Sequence, residues 1–392
     1  MRRVIMSSII LLLLGSALGG CYNRIEMDDT VSVTGFGIDV EGEQKVLSAQ
    51  VASPSGKPQG GGAAKVESRV LTEKSPGYAL AGRQIMLRFP RTPIWSHSAS
   101  LVIGSRVAQK DMTLMMDFIA RNRFLRPNLM FFLAAGATPE EVMNVKTPPE
   151  ESSMLGLVKM IEGEGARTAM YQPITLRDFR SKYTVPGVEP VIPQVEIQEV
   201  EGEKQLRFAG IAVFRGTYMV GSLDEKETKG MGWLSSKELR SGLFAVNLAS
   251  EDNSAAARLE DIVTLEIIHS KASFTPHVSG DGILVEIKIE SDGNFYEQAT
   301  TDNLLTSENI ARIESLAARV IEDHARACIY KAQSLQSDIF GWGLMISRQN
   351  PKAWENLKDN WPDNFSRIQV QFKVDFRIRR TYLTEQPVPI RS

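Results

Sequence analysis

IQVQFKVDFRIR, residues 368–379, decides the fold of the last third of the chain. Apolar side chains alternate with polar or charged ones over the whole stretch. Successive side chains of a strand point to opposite faces, so the pattern predicts a long strand with one buried face. Residues 283–290 repeat this alternation, with Ile283, Val285, Ile287 and Ile289 on one face. Such half-buried strands are typical of antiparallel sheets.

A long helix is predicted between these two strands. Ser307 is placed to cap it, and Glu308 lies in its first turn, where a negative charge is favourable. Its buried stripe is predicted to contain Ile310, Ile313, Leu316, Ala317, Val320, Ile321, His324 and Cys328. Two strands, a long helix and a closing strand predict a C-terminal α+β domain, in which an antiparallel sheet packs against the helix.

The first half of the chain alternates strands with helices. Residues 99–103 and 129–134 are predicted to be buried strands, with a helix between them that Asp111 caps. The apolar positions of that helix are Leu114, Met115, Phe118 and Ile119. Thr138-Pro139-Glu140-Glu141 forms a capping box with proline at the first helical position. This succession predicts a βαβ unit.

Further along, residues 206–220 predict a hairpin, and Ser235-Ser236-Lys237-Glu238 is a second capping box. The polar loop at residues 251–254 is the preferred boundary before the C-terminal domain. The predicted class is α+β with two to three mixed α/β domains. Its segments are a signal peptide (1–20), an N-terminal mixed α/β domain (21–200), a middle hairpin-and-helix region (201–255) and a C-terminal α+β domain (256–392).

The first twenty residues predict export and lipidation. Arg2 and Arg3 precede an apolar run, and Leu18-Gly19-Gly20-Cys21 fits a bacterial lipobox, in which the cysteine thiol accepts a diacylglyceryl group. The alternative is an uncleaved signal anchor with an incidental cysteine. A lipoprotein cysteine carries at least two acyl chains, enough for stable anchoring. We therefore expect a body held on the outer face of a membrane through Cys21.

Charge and cysteine content exclude other classes. Loss of Arg2 and Arg3 leaves 43 basic against 47 acidic residues, so the near-neutral chain lacks the basic surplus of a nucleic-acid binder. Cys328 is the second of the two cysteines. With Cys21 occupied by lipid, no intrachain disulfide is expected.

Catalytic and metal-binding motifs are not found in the sequence. The four histidines, at positions 97, 269, 277 and 324, do not form HExxH, and His324 lies on an apolar helical stripe. No G-x-S-x-G elbow is present, and neither Gly163-Glu164-Gly165 nor Gly60-Gly61-Gly62 has the ending of a phosphate loop. We expect no catalytic residue, no cofactor and no metal, and interpret the chain as a binding or scaffold protein.

Four segments carry a family resemblance. Residues 20–29 run into Thr34-Gly35-Phe36-Gly37-Ile38-Asp39, residues 96–121 contain Ser96-His97 and a helix ending Asp117-Phe118-Ile119, and residues 208–214 read FAGIAVF. The most specific segment is Asp338-Ile339-Phe340-Gly341-Trp342-Gly343 with Pro351, Trp354 and Trp361. Together they resemble the Ger(x)C family, the lipoprotein C subunits of GerA-type germinant receptors of spore-forming Firmicutes. Tyr22-Asn23 stands where the family usually has Trp-Asp.

The resemblance implies an accessory receptor subunit that is needed for nutrient-triggered germination. Its partners would be the A and B membrane subunits in the spore inner membrane, and it would act by protein–protein contact. The family has no established catalytic residues, so the resemblance transfers none. One alternative is a solute-binding lipoprotein of a transporter, which should show two similar α/β lobes. A surface hydrolase is the other, and the missing motifs disfavour it.

The three tryptophans of residues 338–361 allow two interpretations. Clustered aromatic side chains usually form a packed core, here one that covers the long helix. The same residues, if exposed, would be anchors of a partner-binding surface.

Overall fold

The computed structural model describes residues 29–55, 65–164, 170–235, 237, 239, 242–249, 261–280, 282–300 and 302–381. Its strands are β1 Thr30–Glu41, β2 Gln44–Ser55, β3 Lys65–Ser75, β4 Thr92–Ile94, β5 Ser100–Gly104, β6 Met130–Ala134, β7 Val191–Val200, β8 Glu203–Arg215, β9 Tyr218–Leu223, β10 Leu243–Asn247, β11 Ile262–Ser279, β12 Gly282–Gln298 and β13 Gln369–Arg380. Its helices are α1 Tyr78–Leu87, α2 Ser105–Lys110, α3 Thr113–Arg121, α4 Pro139–Asn144, α5 Ser153–Glu164, α6 Leu176–Tyr183, α7 Glu225–Trp233, α8 Ser307–Ser334, α9 Trp342–Gln349, α10 Pro351–Leu357 and α11 Trp361–Ser366.

Nine strands form the first sheet, in the order β3-β2-β1-β5-β6-β7-β8-β9, with β4 paired to β1. The central strands β1, β5, β6 and β7 run parallel, and antiparallel hairpins flank them on both sides. Helices α2 and α3 connect β5 to β6. The predicted βαβ unit is therefore confirmed.

Side-chain caps fix where the helices of this sheet begin. Thr138 accepts from the Glu141 amide at 3.2 Å, and the Glu141 carboxylate accepts from the Thr138 amide at 2.7 Å, as the capping box predicts. The N-cap of α3 is Met112 rather than the predicted Asp111, whose carboxylate accepts from the Thr113 amide at 2.8 Å. These contacts satisfy amides that have no partner inside the helix.

Four strands form the second sheet, in the order β10-β11-β12-β13. Strands β10, β11 and β12 are antiparallel, and α8 packs on the sheet, which confirms the predicted C-terminal architecture. The closing strand β13 pairs parallel to β12, since helices α8 to α11 return the chain to the end where β12 begins. Thr306 rather than Ser307 caps α8, accepting from the Asn309 amide.

The two sheets share a hydrophobic core. One cluster of buried side chains extends from Phe132 and Val213 of the first sheet to Ile287 and Phe376 of the second. A second cluster covers the opposite face of the first sheet, where α1, α2, α3 and α6 pack. The long helix α8 contributes Ile313, Leu316, Ala317, Val320, Ile321 and Cys328 to the shared cluster.

Two further local predictions are wrong. Ser235 does not begin a helix, because Leu239 forms a bridge with Ser270. The helix lies earlier, at α7, where Asp224 and Glu227 make a capping box. Leu114 is exposed because the buried stripe of α3 is formed by Met115, Met116 and Ile119.

His269 and His277 both lie within β11.

The predicted limit between residues 200 and 201 falls at the turn that joins β7 to β8. Val200 pairs with Glu203 across that turn, so the first sheet continues through it. The ranges 21–200, 201–255 and 256–392 stay a prediction as domain limits. The polar loop at 251–254 lies outside the described residues.

Within the part of the chain that the structure describes, no helix has both the length and the apolar character needed to cross a bilayer.

Candidate functional site

The predicted lipidation site, Cys21, lies outside the described residues, which begin at Asp29. The most specific segment of the sequence, residues 338–361, is described completely and forms the candidate site. It follows α8 and connects it to α9, α10 and α11. We call the segment from Ser337 to Gly343 the Asp338 turn.

The Asp338 turn is built around one buried carboxylate. Oδ1 of Asp338 accepts from the amides of Gly341 and Trp342 at 2.8 and 3.1 Å. Oδ2 accepts from the Gly343 amide at 2.8 Å and from Nε1 of Trp361 at 3.1 Å. Gly341 has a positive φ of 77°, a conformation that glycine adopts without strain. Four donors therefore surround a side chain that is 1% exposed.

Burial dominates the electrostatics of this carboxylate. It raises the pKa of Asp338 to about 6, and the surrounding N–H donors oppose the rise. With its oxygens occupied by protein donors, Asp338 has no free face toward a substrate. The arrangement organises the backbone and does not present an acid or base.

The three tryptophans of the segment are buried, at 0% exposed for Trp342, 8% for Trp354 and 5% for Trp361. The rings of Trp354 and Trp361 lie 5.1 Å apart at 64°. Trp342 stacks on Phe340 at 4.9 Å and contacts Phe365 at 5.6 Å. Of the two interpretations, the packed core describes these side chains.

The Asp338 turn is also hydrogen-bonded to the first sheet and to the chain that precedes β7. Oγ of Ser337 donates to the Phe214 carbonyl of β8 at 2.6 Å, and the Glu189 amide donates to the Asp338 carbonyl at 2.8 Å. Gly187 and Gly343 pass so close that a Cβ on Gly343 would lie 2.7 Å from Cα of Gly187. The segment therefore joins the chain before β7 to the end of α8.

A second carboxyl group, on the half-buried Glu189, adjoins the contact between the Asp338 turn and the chain before β7. It accepts from the Gly216 amide at 2.6 Å. Burial raises the pKa of Glu189 to about 7, and the charge of Asp338 adds to the rise. Burial also lowers the pKa of Lys182, with Lys237 adding to the effect. Sequence reasoning missed Glu189 and Lys182.

The Thr34–Asp39 segment is a packing motif of β1. A Cβ on Gly35 would lie 2.7 Å from Met154, and one on Gly37 2.5 Å from Pro139, so helices α5 and α4 approach the strand closely. Asp39 is 3% exposed and accepts from Arg106 at 2.6 Å. Close packing therefore accounts for the glycines at positions 35 and 37, and the contact with Arg106 accounts for Asp39.

The hairpin of residues 208–214 is likewise constrained. Gly210 has a positive φ of 88°, and a Cβ there would lie 2.2 Å from the Leu223 carbonyl. Its amide donates to the Tyr171 hydroxyl at 2.8 Å.

Titratable side chains also occur outside these segments. His324 is half-buried, and desolvation lowers its pKa to about 4. Across the described ranges, no cluster of three or more His, Cys, Asp or Glu side chains is placed to hold a metal. An open groove of about 990 Å³ lies beside β8, with both acidic and basic side chains in its lining: Glu141, Lys146, Glu150, Lys159, Glu203 and Lys204.

Two family models match the chain. Residues 23–197 match the spore germination protein N-terminal domain, and residues 209–382 match the spore germination B3/GerAC-like C-terminal domain.

Proteins of Bacillus subtilis (strain 168) are similar over nearly the whole chain. Spore germination protein KC is 22% identical over 99% of this chain and 98% of its own length. Spore germination protein B3 is 20% identical over 92% and 94%. The crystal structure of the GerBC protein superposes with a TM-score of 0.57 at 18% identity, covering 88% of this chain and 96% of that one. That likeness shows a shared fold.

Proposed function

Because the chain belongs to the Ger(x)C family of spore germination proteins, we propose that it is a membrane-anchored accessory subunit of a spore germinant receptor. It is needed for nutrient-triggered germination and acts by contact with the A and B membrane subunits. The observation that carries the proposal is the match of both family models, in order, over residues 23–197 and 209–382.

The anchor in this proposal is lipid on Cys21, which holds the body on the outer face of the spore inner membrane. The lipobox Leu18-Gly19-Gly20-Cys21 supports it. At least two acyl chains give attachment that persists without a spanning helix.

A non-catalytic role is part of the proposal. The residues of the family-like segments have packing roles. Four hydrogen-bond donors enclose Asp338. Gly35, Gly37 and Gly343 lack a Cβ and so allow neighbouring atoms to approach closely. These contacts pack the helices and the Asp338 turn closely against the sheets. A closely packed body on a tether suits a subunit that positions or holds partners.

The transporter alternative has less support. A solute-binding lipoprotein should show two similar α/β lobes, whereas this chain folds into a nine-stranded mixed sheet and a four-stranded sheet with a shared core.

Co-purification tests the proposal. The full chain with an affinity tag after Ser392 is expressed in spores and recovered from detergent-solubilised spore membranes. We expect the A and B subunits in the eluate, and neither in the eluate from a strain carrying the same tag on an unrelated lipoprotein. Recovery of transporter subunits together with a bound small solute would instead favour the alternative.

A further inference from the structure

The strand directions of the first sheet place three chain segments at one edge. Strand β5 begins at Ser100, beside Gly35 of β1, and runs parallel to it. Strand β6 begins at Met130, beside Ser100, also in parallel. Parallel strands start at the same edge, so the segments before β5 and β6 lie where β1 enters the sheet. We call this the entry edge, formed by residues 29–30, 91–92 and 121–128.

The entry edge is rich in exposed arginine. Arg91, Arg123 and Arg126 are exposed and form no ion pair with another described residue. Arg121, at the end of α3, is paired with Asp117 at 2.8 Å. The exposed Asp29 is the acidic residue with which the described chain begins.

An aromatic side chain accompanies this charge. Phe124 is 55% exposed, and the guanidinium carbon of Arg123 lies 4.9 Å from the centre of its ring. Leu87, at the end of the helix that precedes Arg91, is 86% exposed. Arginines with exposed apolar side chains among them are the composition of surfaces that lie in a membrane interface.

The anchor would bring this edge to a bilayer. Cys21 precedes Thr30 by nine residues. An extended chain reaches at most about 3.6 Å per residue, so lipid on Cys21 would keep Thr30 within about 30 Å of the membrane surface. The edge that faces the tether is therefore the part of the body held nearest to the lipid headgroups.

We propose that the entry edge docks on the anionic surface of the bilayer, with Arg91, Arg123 and Arg126 against lipid phosphates and Phe124 at the interface. The proposal deepens the proposed function and rests on the Cys21 anchor. Each arginine near an anionic surface shifts binding about fivefold, and three shift it about a hundredfold. The lipid anchor already keeps the arginines at a high local concentration near the membrane surface. Their contact with lipid therefore determines the orientation of the body, whereas the anchor provides the attachment.

A site-specific fluorophore tests the orientation. Cys21 carries lipid in the proposal and Cys328 is buried, so an added cysteine is the reactive thiol. Full-length lipidated protein with Asn128→Cys labels the entry edge. Glu140→Cys is the matched control, since Glu140 is exposed in α4, beyond the opposite end of β6. Both proteins are reconstituted into vesicles of phosphatidylcholine, with or without phosphatidylglycerol, that contain brominated lipid as quencher.

We expect quenching at position 128, not at 140, in vesicles with phosphatidylglycerol. The triple variant Arg91→Glu, Arg123→Glu, Arg126→Glu should lower the ratio of docked to undocked protein at least tenfold, while still floating with vesicles. The corresponding triple lysine variant should retain quenching. High salt should abolish it, because the Debye length falls to about 3 Å at 1 M. An unchanged melting temperature of the glutamate variant checks its fold.

Equal quenching at both positions, or quenching at 128 that ignores charge reversal and phosphatidylglycerol, overturns the docking proposal. So does shielding of position 128 that requires the A and B subunits, since the edge then faces protein. Failure of the unsubstituted protein to float with vesicles that lack phosphatidylglycerol rejects the anchor instead. In that case, flotation that depends on phosphatidylglycerol and is lost in the glutamate variant still supports the edge, and its absence rejects it.

Discussion

Nε1 of Trp361 donates a hydrogen bond of 3.1 Å to Oδ2 of Asp338, the same oxygen that accepts from the Gly343 amide. Two residues that are 23 positions apart are thereby fixed to each other in the core. The bond closes the segment that contains α9 and α10. It also links the first residue of α11 to the Asp338 turn, which contacts the first sheet.

Asp338→Asn should destabilise the protein strongly. An amide offers one acceptor oxygen, so two of the four donors around this position would lose their acceptor. Each buried unsatisfied donor costs about 1–3 kcal/mol, which predicts a loss of about 2–5 kcal/mol in the free energy of unfolding. Urea denaturation measures it. Asp359→Asn is the control, because Asp359 is exposed and should change stability by less than about 0.5 kcal/mol. Equal effects of the two substitutions would contradict the structural role of Asp338.

The sequence predicted the elements whose signal is local. The alternation of residues 368–379 located β13 to within a residue at each end, and the capping box at Thr138 located the start of α4. The direction of β13 was not predicted, because one-sided alternation is typical of antiparallel strands, whereas β13 pairs parallel to β12. Helix α7 was missed because its glycines and charged residues weaken the helical pattern, while close packing of Gly230 on His324 stabilises it.

Trp354→Ala should lower the stability of the body. The ring is 8% exposed and packs on Trp361. Removal of a buried tryptophan costs about 3–5 kcal/mol, and the melting temperature should fall accordingly. Tyr330→Ala, at a position that is 57% exposed on α8, is the matched aromatic control and should have a small effect. A Trp354→Ala protein that melts normally yet fails to support germination would instead make this side chain a partner contact.

Glu189 should make stability fall as pH rises. Its pKa is about 7 in the folded protein against 4.5 in the unfolded chain, so between these values the folded state holds more protons. The free energy of unfolding should therefore decrease from pH 4.5 to pH 7, by on the order of 1–3 kcal/mol from this group. Glu189→Gln keeps an acceptor for Gly216 and should remove that part of the slope. Glu199→Gln, at an exposed position of β7, should leave the slope intact. If the free energy of unfolding fell equally with pH in the original protein and in Glu189→Gln, the raised pKa assigned to Glu189 would be wrong.

The site was only half predictable. The aspartate, glycines and tryptophans of residues 338–361 are visible as a motif, but their partners come from distant parts of the chain. The Asp338 turn contacts Gly187, Glu189 and Phe214, which lie in or just before β7 and β8. Sequence periodicity predicts helices and strands but does not predict contacts between such distant segments.

Cys21→Ala should release the protein from the membrane fraction or leave the precursor unprocessed. The reason is that the lipid on this cysteine is the proposed attachment, and without it no thiol accepts the diacylglyceryl group. Immunoblots of soluble and membrane fractions measure the outcome. Cys328→Ala is the control, since this second cysteine is buried in α8 and its loss should leave the distribution unchanged. Normal processing and membrane retention of Cys21→Ala would show that the lipobox interpretation is wrong.

Insertion of one alanine after Phe372 should collapse the second sheet. Side chains in a strand alternate between faces, so the insertion moves Val374, Phe376 and Ile378 from the buried face to the outer face. Phe376 is 3% exposed and contacts Phe244 of β10 at 5.5 Å, so its loss opens the core beneath α8. Burial of one large side chain contributes about 1.5–3 kcal/mol. The loss from displacing three of them is therefore comparable to the whole free energy of unfolding of a typical domain, about 5–15 kcal/mol. Soluble yield and melting temperature measure the effect. The same insertion after Arg380, at the end of β13, leaves the register unchanged and should be tolerated. If both insertions are tolerated, β13 does not pair with β12 in this register.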